Sequence, residues 1–303
     1  MMATKKRKAF FLKTLAITLL CIGTIGLLPL PAVGLVKTVA QRTNVTVYSN
    51  DKASVDASNL SEGYVIVRYT GGRDIRIKAQ ITKRDGTTYT YDINAKGDPE
   101  VLPLTEGDGR YTISVFENIS GTRYSQAYST SVEMRLRDQL LPFLYPNQYV
   151  NYKERSPVAD KAKELVEGET EQLTMVANIY HYVTKNLTYD RELARRVQPG
   201  YLPDVDAVLE RKKGICFDYA ALMSSMLRLN GVPCKLVIGY AGQVYHAWIN
   251  VYIEEVGWID QAIFFDGEKW SLMDPTFVST SNSPNAVRQF VGEGNNYSEK
   301  YVY

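Results

Sequence analysis

Three residues far apart in the sequence have side chains that together could move an acyl group. Cys216 stands in "GICFDYAALMSSMLRLNG", two residues after Gly214 and at the head of a long apolar run. His246 follows 30 residues on, in "YHAWINVYI", and Asp274 lies 28 beyond that, in "KWSLMDPTF". Cysteine reacts as the thiolate, and a helix N-terminus with a neighbouring imidazolium lowers its pKa. The free N–H groups of that first turn would also face an oxyanion formed when a carbonyl is attacked. A carboxylate on the far imidazole nitrogen would fix the tautomer and favour the charged ring. Helix position alone is better explained by an ordinary buried cysteine. The histidine and the aspartate, in that order, turn the reading towards a nucleophile.

Neighbouring residues have simpler explanations. Asp218 sits in the first turn of the same helix, where a carboxylate interacts with free amides. Trp248 and Tyr240 could line a cleft, and core packing suits each at least as well. His181 falls inside an amphipathic helix and reads as a packing or surface residue. A zinc site needs about four ligands, and no CxxC or HxxxH spacing supplies them. A serine hydrolase would carry G-x-S-x-G, which the chain lacks. No D-x-D-x-D-G loop is present, so no calcium requirement is expected. The expectation is therefore no metal and no cofactor.

Those side chains need elements to hold them. The helix from Cys216 to about Leu229 is roughly 20 Å long at 1.5 Å per residue. Cys234 follows its far end in "GVPCKLVIGY", beyond the ~7 Å reach of a disulfide to Cys216, and reads as a core residue. In "YHAWINVYI" the alternation puts Tyr245, Ala247, Ile249, Val251 and Ile253 on one face. His246, Trp248, Asn250 and Tyr252 share the other. His246 then points away from the apolar face towards whatever covers the sheet, and the Cys216 helix is the expected cover. Upstream, Ser156-Pro157 marks a helix start. Leu173, Val176, Tyr180, Val183 and Leu187 form an apolar stripe at helical spacing. "PDVDAVLERKKG" is a short helix. After the cysteine helix come strand-like "KLVIGY", "YHAWINVYI", "GWID", "KWSLMD" and "NYSEKYVY". From Thr43 to Leu136, by contrast, short alternating strands such as "DIRIKAQI" are separated by glycine-rich turns. Six or seven strands in about 95 residues predict an immunoglobulin-like or fibronectin-like sandwich. The connector "LLPFLYPNQYVNY", rich in apolar residues, is expected to pack rather than swing free.

Charge and the N-terminus bound the setting. Lys5, Lys6, Arg7, Lys8 and Lys13 precede "TLAITLLCIGTIGLLPLPAVG", and Ala32-Val33-Gly34 offers a small-x-small cleavage site. Residues 1–34 therefore read as an export signal. The apolar stretch over residues 14–36 also fits an uncleaved membrane tether. Either way, the bulk of the protein is expected to be secreted or held at the cell surface. Without those five cations the chain is slightly acidic, which excludes a nucleic-acid footprint. The five Asn-x-Ser/Thr sites (Asn44, Asn59, Asn118, Asn186 and Asn296) are read as chance.

The stretch from about Tyr182 to Phe277 resembles the transglutaminase-like core domain. The resemblance rests on "KKGICFDYAALMSSMLR", "YHAWINVY" and "WSLMDPTF" in that order, with "PDVDAVLERKKG" before and "NGVPCKLVIGYAG" between. It implies a triad of Cys216, His246 and Asp274 on a papain-like α+β core, helices packed on an antiparallel sheet, over residues 137–303. The all-β sandwich would occupy residues 41–136. The layout resembles bacterial extracellular members of the superfamily and implies amide chemistry on a protein or peptide substrate through an acyl-thioester. Hydrolysis is expected ahead of crosslinking, because crosslinking must exclude water and admit an amine. Protein-glutamine crosslinking is the first alternative. A catalytically silent surface scaffold is the second.

Overall fold

Apolar residues at every second position make the first half a strand protein. In the computed structural model, which describes residues 43–241, 243–265, 270–272 and 297–303, that half has eight strands. They are β1 (Val47–Ser49), β2 (Ala53–Asp56), β3 (Tyr64–Tyr69), β4 (Ile77–Lys83), β5 (Thr88–Ile93), β6 (Glu100–Pro103), β7 (Gly109–Ser120) and β8 (Arg123–Met134). In β5, Tyr89, Tyr91 and Ile93 are buried while Thr88, Thr90 and Asp92 face out. Two antiparallel sheets, β1-β2-β3-β6 and β5-β4-β7-β8, form the sandwich. The strand count exceeds the expected six or seven because β1, β2 and β6 are only three or four residues long. Such short segments carry too few residues for a period to show.

The connector does pack. Leu141, Phe143, Tyr145, Val150 and Tyr152 are buried. Tyr145 lies 4.9 Å from Tyr64 of the sandwich, and Phe143 meets Trp258 edge-on at 5.1 Å. Five helices then appear. α1 (Pro157–Leu165) is capped by the Ser156 hydroxyl, which accepts from the Ala159 N–H at 3.3 Å. α2 (Gln172–Asn186) buries Val176, Ile179 and Val183. A two-residue strand β9 (Thr188–Tyr189), α3 (Arg191–Arg196), α4 (Val205–Arg211) and strand β10 (Lys213–Gly214) lead into α5 (Cys216–Leu229). α5 is buried from Asp218 to Leu229, all round, as befits a helix with no solvent face. Burial of each leucine- or methionine-sized side chain contributes about 1.5–3 kcal/mol, so this helix anchors the second half.

Beyond it, β11 (Cys234–Ala241), β12 (Val244–Ile253), β13 (Gly257–Phe265), β14 (Trp270–Leu272) and β15 (Tyr297–Val302) form one antiparallel sheet, ordered β14-β13-β12-β11-β15. α5 covers its Cys234–Val251 face: the Ser224 hydroxyl lies 3.3 Å from the Cys234 thiol, and Cys234 pairs directly with Val251. Ala247 and Ile249 share that face with Val251. The expectation that α5 covers the His246 face is thus corrected. The apolar face takes the apolar helix, and Trp248 and Asn250 are buried on the other side, so from His246 to Val251 neither face of β12 is left to solvent.

One cation ties these layers together. Arg228, on α5, is fully buried. Its guanidinium donates to the carbonyls of Cys234 (3.0 and 2.6 Å), Tyr145 (2.7 Å) and Tyr303 (2.8 Å). Tyr303 in turn stacks on Tyr149 at 4.0 Å and meets Tyr89 and Tyr91 of the sandwich edge-on. Cys216 and Cys234 are free thiols. The expected export segment over residues 1–34 and the alternative membrane tether over residues 14–36 lie outside the described residues.

Candidate active site

The N-terminus of α5 is built around a buried carboxylate. Asp218 accepts from the Ile215 N–H at 2.8 Å and from the Tyr201 hydroxyl at 2.6 Å. The Arg211 guanidinium lies 3.3 Å from the same carboxylate. Burial pushes the Asp218 carboxyl up, and Tyr201 and the Ile215 amide pull it back. Gly214 is required by this packing, since a Cβ there would lie 2.5 Å from the Asp218 Cβ. β9 pairs in parallel with β10, so Tyr189 lies opposite Gly214. The Asp190 N–H donates to the Gly214 carbonyl at 2.8 Å.

That pairing brings Tyr189 to the thiol. Burial pushes the Tyr189 hydroxyl up to about 12, and the neighbouring Cys216 thiol adds to that. The backbone amides of Ala247 and Phe217 and the Tyr189 side chain pull the Cys216 thiol back against burial. Ala247 is the residue after His246, so the thiol rests against β12 at the histidine. Cys216 and His246 both line one cavity of about 850 Å³. One wall is the segment from Ala194 to Leu202, and β5 of the sandwich adds Thr90 and Asp92. Tyrosines fill much of the remainder.

The expected lowering of the Cys216 pKa is corrected. Burial pushes the thiol up, and the neighbouring Ala247 and Phe217 amides and Tyr189 only partly offset that. His246 is pushed down to about 4 by burial. Desolvation disfavours both charges, so the resting pair is a neutral thiol and a neutral imidazole. This has a stability consequence. The unfolded ring takes a proton below about pH 6.5 while the folded one stays neutral to about 4. Stability contributed by the neutral ring is therefore complete above pH 6.5 and falls as pH drops to 4, by about 3 kcal/mol. Urea titrations of wild type and His246→Gln at pH 7 and pH 4.5 should show the wild type losing more. Equal losses would contradict this.

The remaining expected residues fall differently. Trp248 is fully buried, 5.2 Å edge-on from Tyr297, and is absent from the cavity lining. Its ring reaches the position a Cβ on Gly239 would need, 2.9 Å away, and β15 approaches the same spot. Tyr240 is partly exposed and meets Tyr245, which lines the cavity, at 5.4 Å. Asp218 supports the helix start from behind rather than lining the cavity. Asp274 lies outside the described residues. Asn250, two turns of the pleat past His246, donates to Asp260 (3.2 Å) and Glu299 (2.9 Å). Among the described residues, no three His, Cys, Asp or Glu side chains are grouped to hold a metal ion. Tyr189 and Tyr201 are the residues sequence reasoning missed. Neither stands at a telling spacing from Cys216, and only the β9–β10 pairing and the Asp218 contact bring them in.

Residues 159–275 match the sequence pattern of the Transglutaminase-like superfamily. Kyphoscoliosis peptidase of Mus musculus is 26% identical over 137 residues, 41% of this chain and 19% of that protein. The protein YebA of Bacillus subtilis is 24% identical over 184 residues, 53% of this chain and 25% of that protein. The chain thus spans a quarter or less of the length of these curated relatives. Among solved structures, a candidate cysteine protease from Cytophaga hutchinsonii is 14% identical with a TM-score of 0.36, covering 86% of this chain and 74% of its own.

Proposed function

We propose, on the premise that residues 159–275 are a transglutaminase-like superfamily core, that this chain is a cysteine-dependent enzyme cleaving amide bonds of extracellular proteins or peptides. One observation carries the reading. Cys216 stands as a free thiol at the first position of α5, in a cavity that it shares with His246. A buried core cysteine has no need of that arrangement.

Chemistry follows from a neutral pair. The sulfur attacks the amide carbonyl carbon as its proton passes to His246. The carbonyl oxygen becomes an oxyanion, held by the Cys216 N–H and the Tyr189 hydroxyl. Collapse breaks the C–N bond, and His246 protonates the departing amine. Asp274 is assigned to orient the imidazole. Water then resolves the thioester, with His246 as base, releasing a carboxylate and the free thiol.

Hydrolysis is favoured over crosslinking by the open mouth of the cavity, where Val244 and Tyr245 remain exposed. Water enters the cavity through such a mouth, and crosslinking needs it excluded. The pure protein should be incubated with extracellular proteins and a fluorescent amine at millimolar concentration. Released ammonia and new N-termini should exceed dye incorporation. Efficient incorporation with little hydrolysis would make crosslinking the primary activity.

A further inference from the structure

Eight large apolar side chains are left exposed among the described residues, and four of them gather at the cavity. Leu202 (38% exposed), Val244 (66%) and Tyr245 (55%) all line it, and Tyr240 (39%) packs on Tyr245. The remaining exposed ones are Val45, Val47, Tyr48 and Ile119 of the sandwich. Apolar groups exposed around a concave, mostly apolar site mark a surface that a ligand covers. Charge narrows what that ligand is. Apart from His246, the only ionisable acid or base among the described lining residues, tyrosines and the thiol aside, is Asp92. Asp92 is half-exposed and paired with Lys78 at 3.0 Å. Among the described residues the lining therefore offers no free cation to an acidic side chain, and tyrosine rings that suit apolar or aromatic ones.

Leu202 reaches the cavity from a firmly held wall. Its neighbour Tyr201 is fixed by the hydrogen bond to buried Asp218. On the other side, Val244 and Tyr245 begin β12 and immediately precede His246. An apolar group covering these residues would lie beside the histidine, next to the reacting amide. We infer that this cleft selects polypeptides carrying an aromatic or large aliphatic side chain beside the amide to be cleaved, seated by Val244, Tyr245 and Leu202, and rejects acidic ones there. The inference rests on the proposed amide-cleaving function for its kinetic form, and on binding alone for its direct form.

The test uses the full chain and four blocked peptides that differ at one flanking position: Phe, Leu, Ala or Glu. Affinity is read first, by fluorescence anisotropy on the Cys216→Ala protein, which needs no turnover. Phe and Leu peptides should bind about 10- to 100-fold more tightly than Ala, the range that apolar pocket contacts supply, and Glu more weakly still. In wild type the kcat/KM ratios should follow the same order. Val244→Ser with Tyr245→Ser should bring the Phe-to-Ala ratio close to one, and Leu202→Ser should lower it several-fold. Equal binding of Phe, Ala and Glu peptides, or an undiminished ratio in both variants, would overturn the inference. Selective binding without cleavage by wild type would uphold the inference while counting against the amide-cleaving function.

Discussion

Replacing Cys216 by alanine should abolish amide cleavage, a loss on the order of 10⁴-fold or more, the scale on which nucleophiles are felt. Global stability should change by less than about 1 kcal/mol, since the thiol is only half-buried in a cavity. The space the thiol leaves opens on the cavity, where water can fill it. Serine keeps a hydroxyl of nearly the same size in place of the thiol, so Cys216→Ser tests whether sulfur itself is needed. Its hydroxyl, beside an imidazole held neutral, is a much weaker nucleophile, and this variant should be equally inactive. The measurement is single-turnover cleavage of a Phe-flanked peptide, with urea unfolding alongside. Cleavage at wild-type rate by the alanine protein would sink the enzymatic reading outright.

The second large effect is on stability. Arg228→Met keeps the aliphatic stem and removes the guanidinium, leaving the carbonyls of Tyr145, Cys234 and Tyr303 short of a donor. Buried acceptors stripped of a charged donor cost about 1–3 kcal/mol each. Tyr303 suffers less, because its carbonyl also accepts from the Leu236 N–H at 2.9 Å. The expected net loss is about 3–5 kcal/mol, a large share of a typical domain's stability. Urea unfolding measures it directly. A change below 1 kcal/mol would mean that the apolar stem, rather than the hydrogen bonds, holds the connector and β15 to α5.

Much of this organisation was legible in the residues. Strict alternation in "TTYTYDI" produced β5, and Ser156-Pro157 produced the start of α1 almost to the residue. The chemistry-bearing stretch was legible too: Cys216 does begin α5, and His246 does lie on the expected strand. What alternation leaves open is which face a helix covers when both faces are buried, and the β12 assignment was turned over on that point. Tyr189 was invisible because its approach to Cys216 depends on a parallel pairing of two residues with two, 25 positions apart, which has no periodic signature. The direction of the Cys216 shift was missed for a different reason. Position at a helix start is written in sequence, whereas the enclosure that outweighs it arises only when β12 and β9 close around the sulfur.

The tyrosine cluster around Tyr303 also bears on how quickly the molecule can assemble. Thr105 donates to the Val302 carbonyl at 2.8 Å, and Tyr89 accepts from the Val302 N–H across 213 positions of chain. Hairpins such as β7–β8 close over a few residues and form in microseconds. Pairings of the Tyr89–Val302 kind must first bring distant segments together, and that search slows with separation. The sandwich is accordingly free to fold early, while the cavity wall shared by β5 and β15 is among the last parts to arrive. Competence for chemistry would then lag behind compaction, and a refolding chain would regain its tyrosine fluorescence signature of docking and its reactivity together, after its secondary structure has returned.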